Sequence, residues 1–299
     1  MKKKTVALFT SEKFIYKLPA NVVLMFLVFV PTIIVIWLSV INFAPTQGVS
    51  LNDASFIGPG NYIDILTDQA FLAALLRTVI ITAVCVVVEL FLSLLISFLL
   101  SGKIAGKSIL FPLLIIPLMI APVVVGNNFW LLFSTNGPMN QIISAFAQSQ
   151  VQINWFTDAH YAMIPITLAE IWHWFPLTFL IIYSGLAGVS TSETRAASIL
   201  GANEWQIFKD IKLPKMKKIL MIAIVIRSME AIKVFDTVHL LTQGGPGTAT
   251  ETISYFLYKN GFWYSRISFI SAGAWIVLLI CMIIFSTSLN SVLFKEKKI

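Results

Sequence analysis

Charged side chains are scarce in this chain: 12% of its 299 residues, against 58% hydrophobic. Water-soluble domains carry about 25% charged residues, so a soluble enzyme or solvated binding module of this composition is excluded and the chain belongs in a bilayer. Cysteine is nearly absent. Cys85 and Cys281 both lie inside apolar runs with no partner spacing, which removes a disulfide framework and a thiolate metal site, and both read as packing residues. Histidine is confined to His160, His173 and His239, too scattered to assemble a Ser/His/Asp arrangement or a metal-ligand cluster. A membrane-embedded enzyme is therefore disfavoured, and neither a catalytic residue nor a metal site is assigned. A soluble-looking block is missing too, so residues 1–299 are expected to form one integral membrane domain.

What the chain does have is long apolar runs. Six can cross a hydrocarbon core of about 30 Å, which takes roughly 20 helical residues: residues 22–41, 78–100, 108–133, 161–186, 219–241 and 267–293. Lipid offers the backbone no partners, and these runs lack the apolar/polar alternation of a barrel strand, so six transmembrane helices are expected. The basic start resembles a signal peptide, but the apolar run begins only near residue 19 and outlasts a typical h-region, which predicts an uncleaved first helix.

Orientation follows from Lys and Arg, which stay on the cytoplasmic side. Sixteen cations fall on one side: Lys2, Lys3, Lys4, Lys13 and Lys17; Lys103 and Lys107; Arg195, Lys209, Lys212, Lys215, Lys217 and Lys218; Lys295, Lys297 and Lys298. The opposite loops, residues 42–77, 134–160 and 242–266, offer only Lys259, Arg266 and Arg77, beside Asp53, Asp64, Asp68, Asp158 and Glu251. Both termini are thus expected in the cytoplasm. This sidedness accounts for the net charge of +7 without a nucleic-acid partner.

Polar residues inside the runs mark the candidate pathway. Pro112, Pro117 and Pro122 with Gly126 predict kinks in the third span, either for packing or for lining a path beside Asn127 and Asn128. In the fourth, Glu170, Trp172, His173 and Trp174 read either as a stacking and hydrogen-bonding wall for a sugar or as an interfacial aromatic belt. In the fifth, Arg227, Glu230, Lys233 and Asp236 alternate in sign at three-residue steps, a ladder on one helix flank that serves structural pairing or substrate contact. The segment Gly102-Lys103-Ile104-Ala105-Gly106-Lys107-Ser108 is no phosphate loop: its first glycine is one residue too close, and membrane helices flank it.

Between the fourth and fifth runs lies a polar island, residues 187–218, containing Thr194-Arg195-Ala196-Ala197-Ser198-Ile199-Leu200-Gly201-Ala202-Asn203-Glu204-Trp205-Gln206-Ile207-Phe208 and then Ile211-Lys212-Leu213-Pro214. Its small residues admit close approach of another protein, and Trp205 and Phe208 would supply apolar anchors. With the outer loop Gln243-Gly244-Gly245-Pro246-Gly247, the entry segment Gly60-Asn61-Tyr62, Ile171-Trp172, Ser184-Gly185-Leu186-Ala187-Gly188, Tyr255 and Tyr258, this island resembles the sugar-permease subunits of ATP-binding-cassette importers of the maltose and glycerol-phosphate type. The likeness runs along nearly the whole chain. In that family the island carries Glu-Ala-Ala, three residues, Gly, and later Ile-x-Leu-Pro; the matches are Ala196, Ala197, Gly201, Ile211, Leu213 and Pro214, while Arg195 replaces the usual Glu and Leu200 a common Asp.

The resemblance implies a type I importer permease fold with cytoplasmic coupling helices docking on an ATPase, and a Gly244-Gly245-Pro246 loop facing an extracytoplasmic sugar-binding protein. It further implies a prokaryotic inner-membrane location, a second homologous permease subunit and two ATPase subunits that use ATP and magnesium, with no cofactor on this chain. The expected cargo is an oligosaccharide or polyol. Glycerol phosphate would suit Arg227 and Lys233, a polyamine would suit Glu170 and Glu230, and an ion-coupled secondary transporter would leave the docking island without a purpose.

Overall fold

A computed structural model describes residues 12–102 and 105–293. Lys2, Lys3, Lys4, Lys103, Lys295, Lys297 and Lys298, used above for orientation, lie outside the described residues. The described chain is helical, apart from isolated bridges joining Ile41 to Phe56 and Ala44 to Val49. In order come α1 (Glu12–Ser39), α2 (Gly60–Thr67), α3 (Gln69–Ser101), α4 (Lys107–Met119), α5 (Pro122–Leu132), α6 (Pro138–Ala147), α7 (Met163–Ala187) and α8 (Thr191–Ile199). Then follow α9 (Glu204–Gln206), a π-helical stretch (Ile207–Lys212), α10 (Leu213–Lys215), α11 (Lys217–Ala231), α12 (Asp236–Leu241), α13 (Ile253–Tyr258) and α14 (Ile267–Leu293).

Among the described residues, four helices are long and apolar enough to span a membrane, within α1, α3, α7 and α14; the α4–α5 pair, bent by 98°, makes a fifth if it counts as one crossing. Two expected spans are therefore not single rods. Residues 108–133 break at Ile120 and Ala121, just before Pro122, which cannot donate a helical N–H. Residues 219–241 break after Ala231, and the chain turns before Asp236 starts α12. The charge ladder expected on one helix flank is corrected accordingly: Arg227 and Glu230 lie on α11, Lys233 in the break and Asp236 on α12.

The chain forms two compact units, residues 1–68 with 259–279 and residues 69–258 with 280–299, as far as these are described. In the first, buried Asn61 donates to the Ser39 and Ile41 carbonyls at 2.9 and 2.8 Å, satisfying acceptors where α1 ends. Tyr62 and Ser39 share a 2.7 Å hydroxyl contact. The Gly60-Asn61-Tyr62 segment thus ties α2 to the end of α1.

The second unit is built on α3 and α7. Buried residues of α3 recur every three or four positions, among them Phe71, Ala74, Thr78, Ile81, Cys85, Glu89, Ser93, Ser97 and Leu100. Most are small or polar, the composition that lets membrane helices approach closely. Ile81, Cys85, Val125, Ile166, Ala169, Val234, Val238 and Tyr255 form one core cluster. Ile182, Leu186, Phe208, Met216 and Ala223 form another beneath the polar island. Two glycines set contact distances. A β-carbon on Gly126 of α5 would stand 2.9 Å from Leu240 Cβ on α12, and one on Gly185 of α7 would stand 2.8 Å from Ile219 on α11.

Gly126→Leu should therefore lower the melting temperature of the purified protein, at a cost of about 1–3 kcal/mol for overpacking. Adding Leu240→Ala should recover part of that loss; no recovery would mean the two helices do not meet at this point.

Candidate functional site

Three helices of the second unit bring ionisable groups together in the apolar interior. Arg227 on α11 donates from Nε to Glu89 Oε2 on α3 at 2.6 Å, and its Nη2 lies 3.7 Å from Glu170 Oε2 on α7. Exposure of these side chains is 1%, 0% and 9%. Thr178 donates to Glu89 at 3.1 Å and Thr237 to Glu170 at 2.8 Å. The guanidinium carbon sits 5.6 Å from the Trp174 ring centroid, a cation–π distance. A lone charge at this depth is costly, so each group depends on the others. Glu89 Oε1 and Arg227 Nη1 remain buried without hydrogen-bond partners among the described residues, the kind of atoms that internal water satisfies. Glu89 was not among the sequence candidates. The signal for it was present: it is the single charged residue in the run 78–100.

The rest of the expected pathway divides. His173, one turn beyond Glu170 on α7, is buried, and its Nε2 donates to the Ile120 carbonyl at 3.0 Å. That carbonyl lies at the α4–α5 bend, so His173 closes a broken backbone and does not form a free wall beside Trp172. Thr252 does the same for the other break, donating to the Val234 carbonyl at 3.0 Å. Trp172 is 41% exposed and lies 5.8 Å from the Phe129 ring. Asn127, Asn128 and Asp236 are exposed. Glu230 and Lys233 pair with each other at 2.9 Å on the surface. Of the ladder, Arg227 thus joins a buried triad with Glu89 and Glu170, Glu230 and Lys233 form a surface pair, and Asp236 is exposed.

The polar island is a compact helical loop. Asn203 and Gln206 make a reciprocal capping box, each accepting from the other's backbone N–H at 2.8 Å. Gly201 holds φ +87°, a left-handed turn that reverses the chain after α8. Lys215 and Glu193 form an ion pair. Phe208 is only 5% exposed and packs against Phe98 at 4.8 Å between ring centroids, so it roots the loop in the bundle and is not an anchor offered outward. Trp205, 57% exposed, stays available, and Ile199 and Leu200, at 86% and 87%, protrude most. Arg195 and Ala196 are exposed, Ala197 and Leu213 half-buried, and Pro214 exposed. In the Gly244-Gly245-Pro246 loop, Gly244 carries φ +81° and a β-carbon there would stand 2.9 Å from the Tyr255 ring. Gly245 N–H donates to Thr242 O at 2.9 Å and Thr250 Oγ1 to Gly245 O at 2.8 Å, fixing the loop with Pro246 half-buried beside them.

Losing one member of the triad unbalances it. Arg227→Met should cost about 3–5 kcal/mol by leaving two buried carboxylates uncompensated, read as a fall in melting temperature. Combined with Glu89→Met the loss should shrink; a deeper fall in the double variant would refute the pairing.

Residues 90–294 match the family described as binding-protein-dependent transport system inner membrane component. A probable ABC transporter permease of Sinorhizobium fredii, y4oQ, is 30% identical over 90% of this chain and 86% of its own length. The trehalose/maltose transport system permease MalF of Thermococcus litoralis is 29% identical over 81% of this chain and 80% of its own. The fold is similar to that of a bacterial ABC transporter that imports the acidic polysaccharide alginate, with a TM-score of 0.82 at 16% identity over 98% of this chain and 100% of the other. The all-helical architecture, the apolar spans and these relatives agree: the chain belongs to the inner-membrane permeases of binding-protein-dependent ABC transport systems.

Proposed function

We propose that this chain forms the membrane half of an importer for a neutral carbohydrate, an oligosaccharide or polyol, with ATP hydrolysed on separate subunits. Its whole length acts as one permease domain crossing the membrane six times, through α1, α3, the α4–α5 pair, α7, the α11–α12 pair and α14. Both termini and the loop 187–218 lie in the cytoplasm, as the distribution of Lys and Arg requires. A second homologous permease, two ATPase subunits using ATP and magnesium, and an extracytoplasmic binding protein at the Gly244-Gly245-Pro246 loop complete the machine. This chain supplies the path, with Asn127, Asn128 and Trp172 as its accessible lining.

The observation that carries the reading is the docking loop. Ile199, Leu200 and Trp205 stand exposed on a loop rooted in the bundle by Phe208 and Met216. Apolar side chains held rigidly on a polar loop suit helix-in-groove attachment to another protein. The loop joins α7 to α11, so movement imposed on it reaches Glu170 and Arg227 directly along two helices. Alternating access then requires that ATP and cargo each prefer one of two arrangements.

Neutral cargo follows from where the charges are engaged. Arg227 is already held by two carboxylates and Lys233 by Glu230, so a phosphate would have to compete with these carboxylates for either cation. Glu170 is held by Arg227 and Thr237, which leaves an amine no free carboxylate there. Hydroxyl-rich ligands need neither.

Ile199→Asp places a charge on a side chain that touches almost nothing in the chain, so folding should change by less than about 0.5 kcal/mol. Cargo-stimulated ATP hydrolysis of the reconstituted complex should nevertheless fall at least tenfold. Unchanged stimulation would remove the docking role; a panel of sugars in the same assay identifies the cargo.

A further inference from the structure

Residues 108–157 contain no Asp, Glu, Lys, Arg or His. Helices α4 and α5 account for the first part of this stretch, but the remainder, from Phe133 onward, is loop and the short helix α6. A water-facing loop of that length carries several charges at ordinary composition. Within α6, Met139, Ile142, Ile143 and Phe146 recur at i, i+3, i+4 and i+7, one face of a helix. The described residues leave much of that face open: Ile142 is 49% exposed and Phe146 87%, while Met139 and Ile143 are half-buried.

The opposite face is polar and fixed. Asn140 donates to the Thr135 and Ile153 carbonyls, both at 2.9 Å, and accepts from Trp155 Nε1 at 2.9 Å. Ser144 exchanges two hydrogen bonds with the Val151 backbone, at 3.1 and 2.9 Å. A cleft of about 370 Å³ opens on this side, lined by Thr135, Asn136, Gln141, Ser144, Gln150 and Gln152. The helix is therefore held in one orientation, with amides on one side and bare Ile and Phe on the other.

Its neighbours are membrane elements. The bent pair ends at Leu132 and the span α7 begins at Met163, so α6 sits where the chain leaves and re-enters the bilayer. Trp155 packs edge-on against Phe133 at 5.1 Å and Tyr161 at 5.9 Å, and Tyr161 is 40% exposed. Trp and Tyr at span ends mark the interface. The far end of α7 leads into the docking loop, so α6 lies at the other membrane face.

We propose that α6 is an in-plane interfacial anchor: its Met139, Ile142, Ile143 and Phe146 face enters the lipid headgroup and acyl boundary, while the amide face keeps the cleft in water. A helix of ten residues is about 15 Å long, enough to lie across two or three lipids but not to cross. With no cation in the segment, attachment rests on apolar burial and requires no anionic lipid. The inference needs only that α5 and α7 are membrane helices, and stands apart from the cargo and partner assignments.

Nitroxide labels on single cysteines test it, introduced by Ile142→Cys, Phe146→Cys, Gln141→Cys and Gln148→Cys in a Cys85→Ala, Cys281→Ala background. The transporter is reconstituted in vesicles of phosphatidylethanolamine and phosphatidylglycerol. Collisions with oxygen should exceed those with a water-soluble nickel chelate several-fold at 142 and 146, and the order should reverse at 141 and 148. Low collision rates with both reagents at 142 and 146 would mean that a protein surface covers the face. High nickel rates there would mean that it stands in water. Either result overturns the anchor, and repeating the measurement in phosphatidylcholine alone should leave the pattern intact.

Discussion

Arg227 and the carboxylates of Glu89 and Glu170 constrain everything else in the larger unit. A guanidinium in an apolar bundle exists only because two helices bring acceptors to it, and the acceptors persist only because the guanidinium is there. The cluster therefore fixes the rotation of α3, α7 and α11 about their own axes. Apolar packing between membrane helices is weakly directional, since lipid tails are as apolar as Leu. Polar contacts supply the specificity that oily surfaces lack.

The same logic extends to the interrupted helices. Each break frees a carbonyl within the packed bundle, where an unpartnered polar group costs about 1–3 kcal/mol or more. His173 takes the one at Ile120 and Thr252 the one at Val234. Beyond the breaks, α5 and α12 press together where Gly126 removes any side chain from the contact. What looks like irregular backbone is a second packed layer with its own hydrogen bonds.

The sequence made the class of fold and most helix positions readable, because hydropathy and length decide what can cross a bilayer. The first, second, fourth and last runs each correspond to one helix. The breaks in the third and fifth were hidden for a physical reason: hydropathy reports side chains, whereas those interruptions are set by bonds from distant residues such as His173 and Thr252. Prolines announced bending near residue 120 but not its size, and no proline marks the break after Ala231. In the polar island, the small residues were legible. Which aromatic faces outward was not, because Trp205 and Phe208 differ in burial only through packing on Phe98. Glu89 escaped notice because one carboxylate barely alters a long apolar run.

Glu170 and His173 stand three residues apart on α7, on the same side of one rod. Each residue step turns a helix by about 100°, so a slip of α7 by a single position would withdraw both side chains at once. Thr237 at the head of α12 and the Ile120 carbonyl at the α4–α5 bend would then lose their partners together. Two interruptions far apart along the chain are thus keyed to one spindle, and they lock or release as a set.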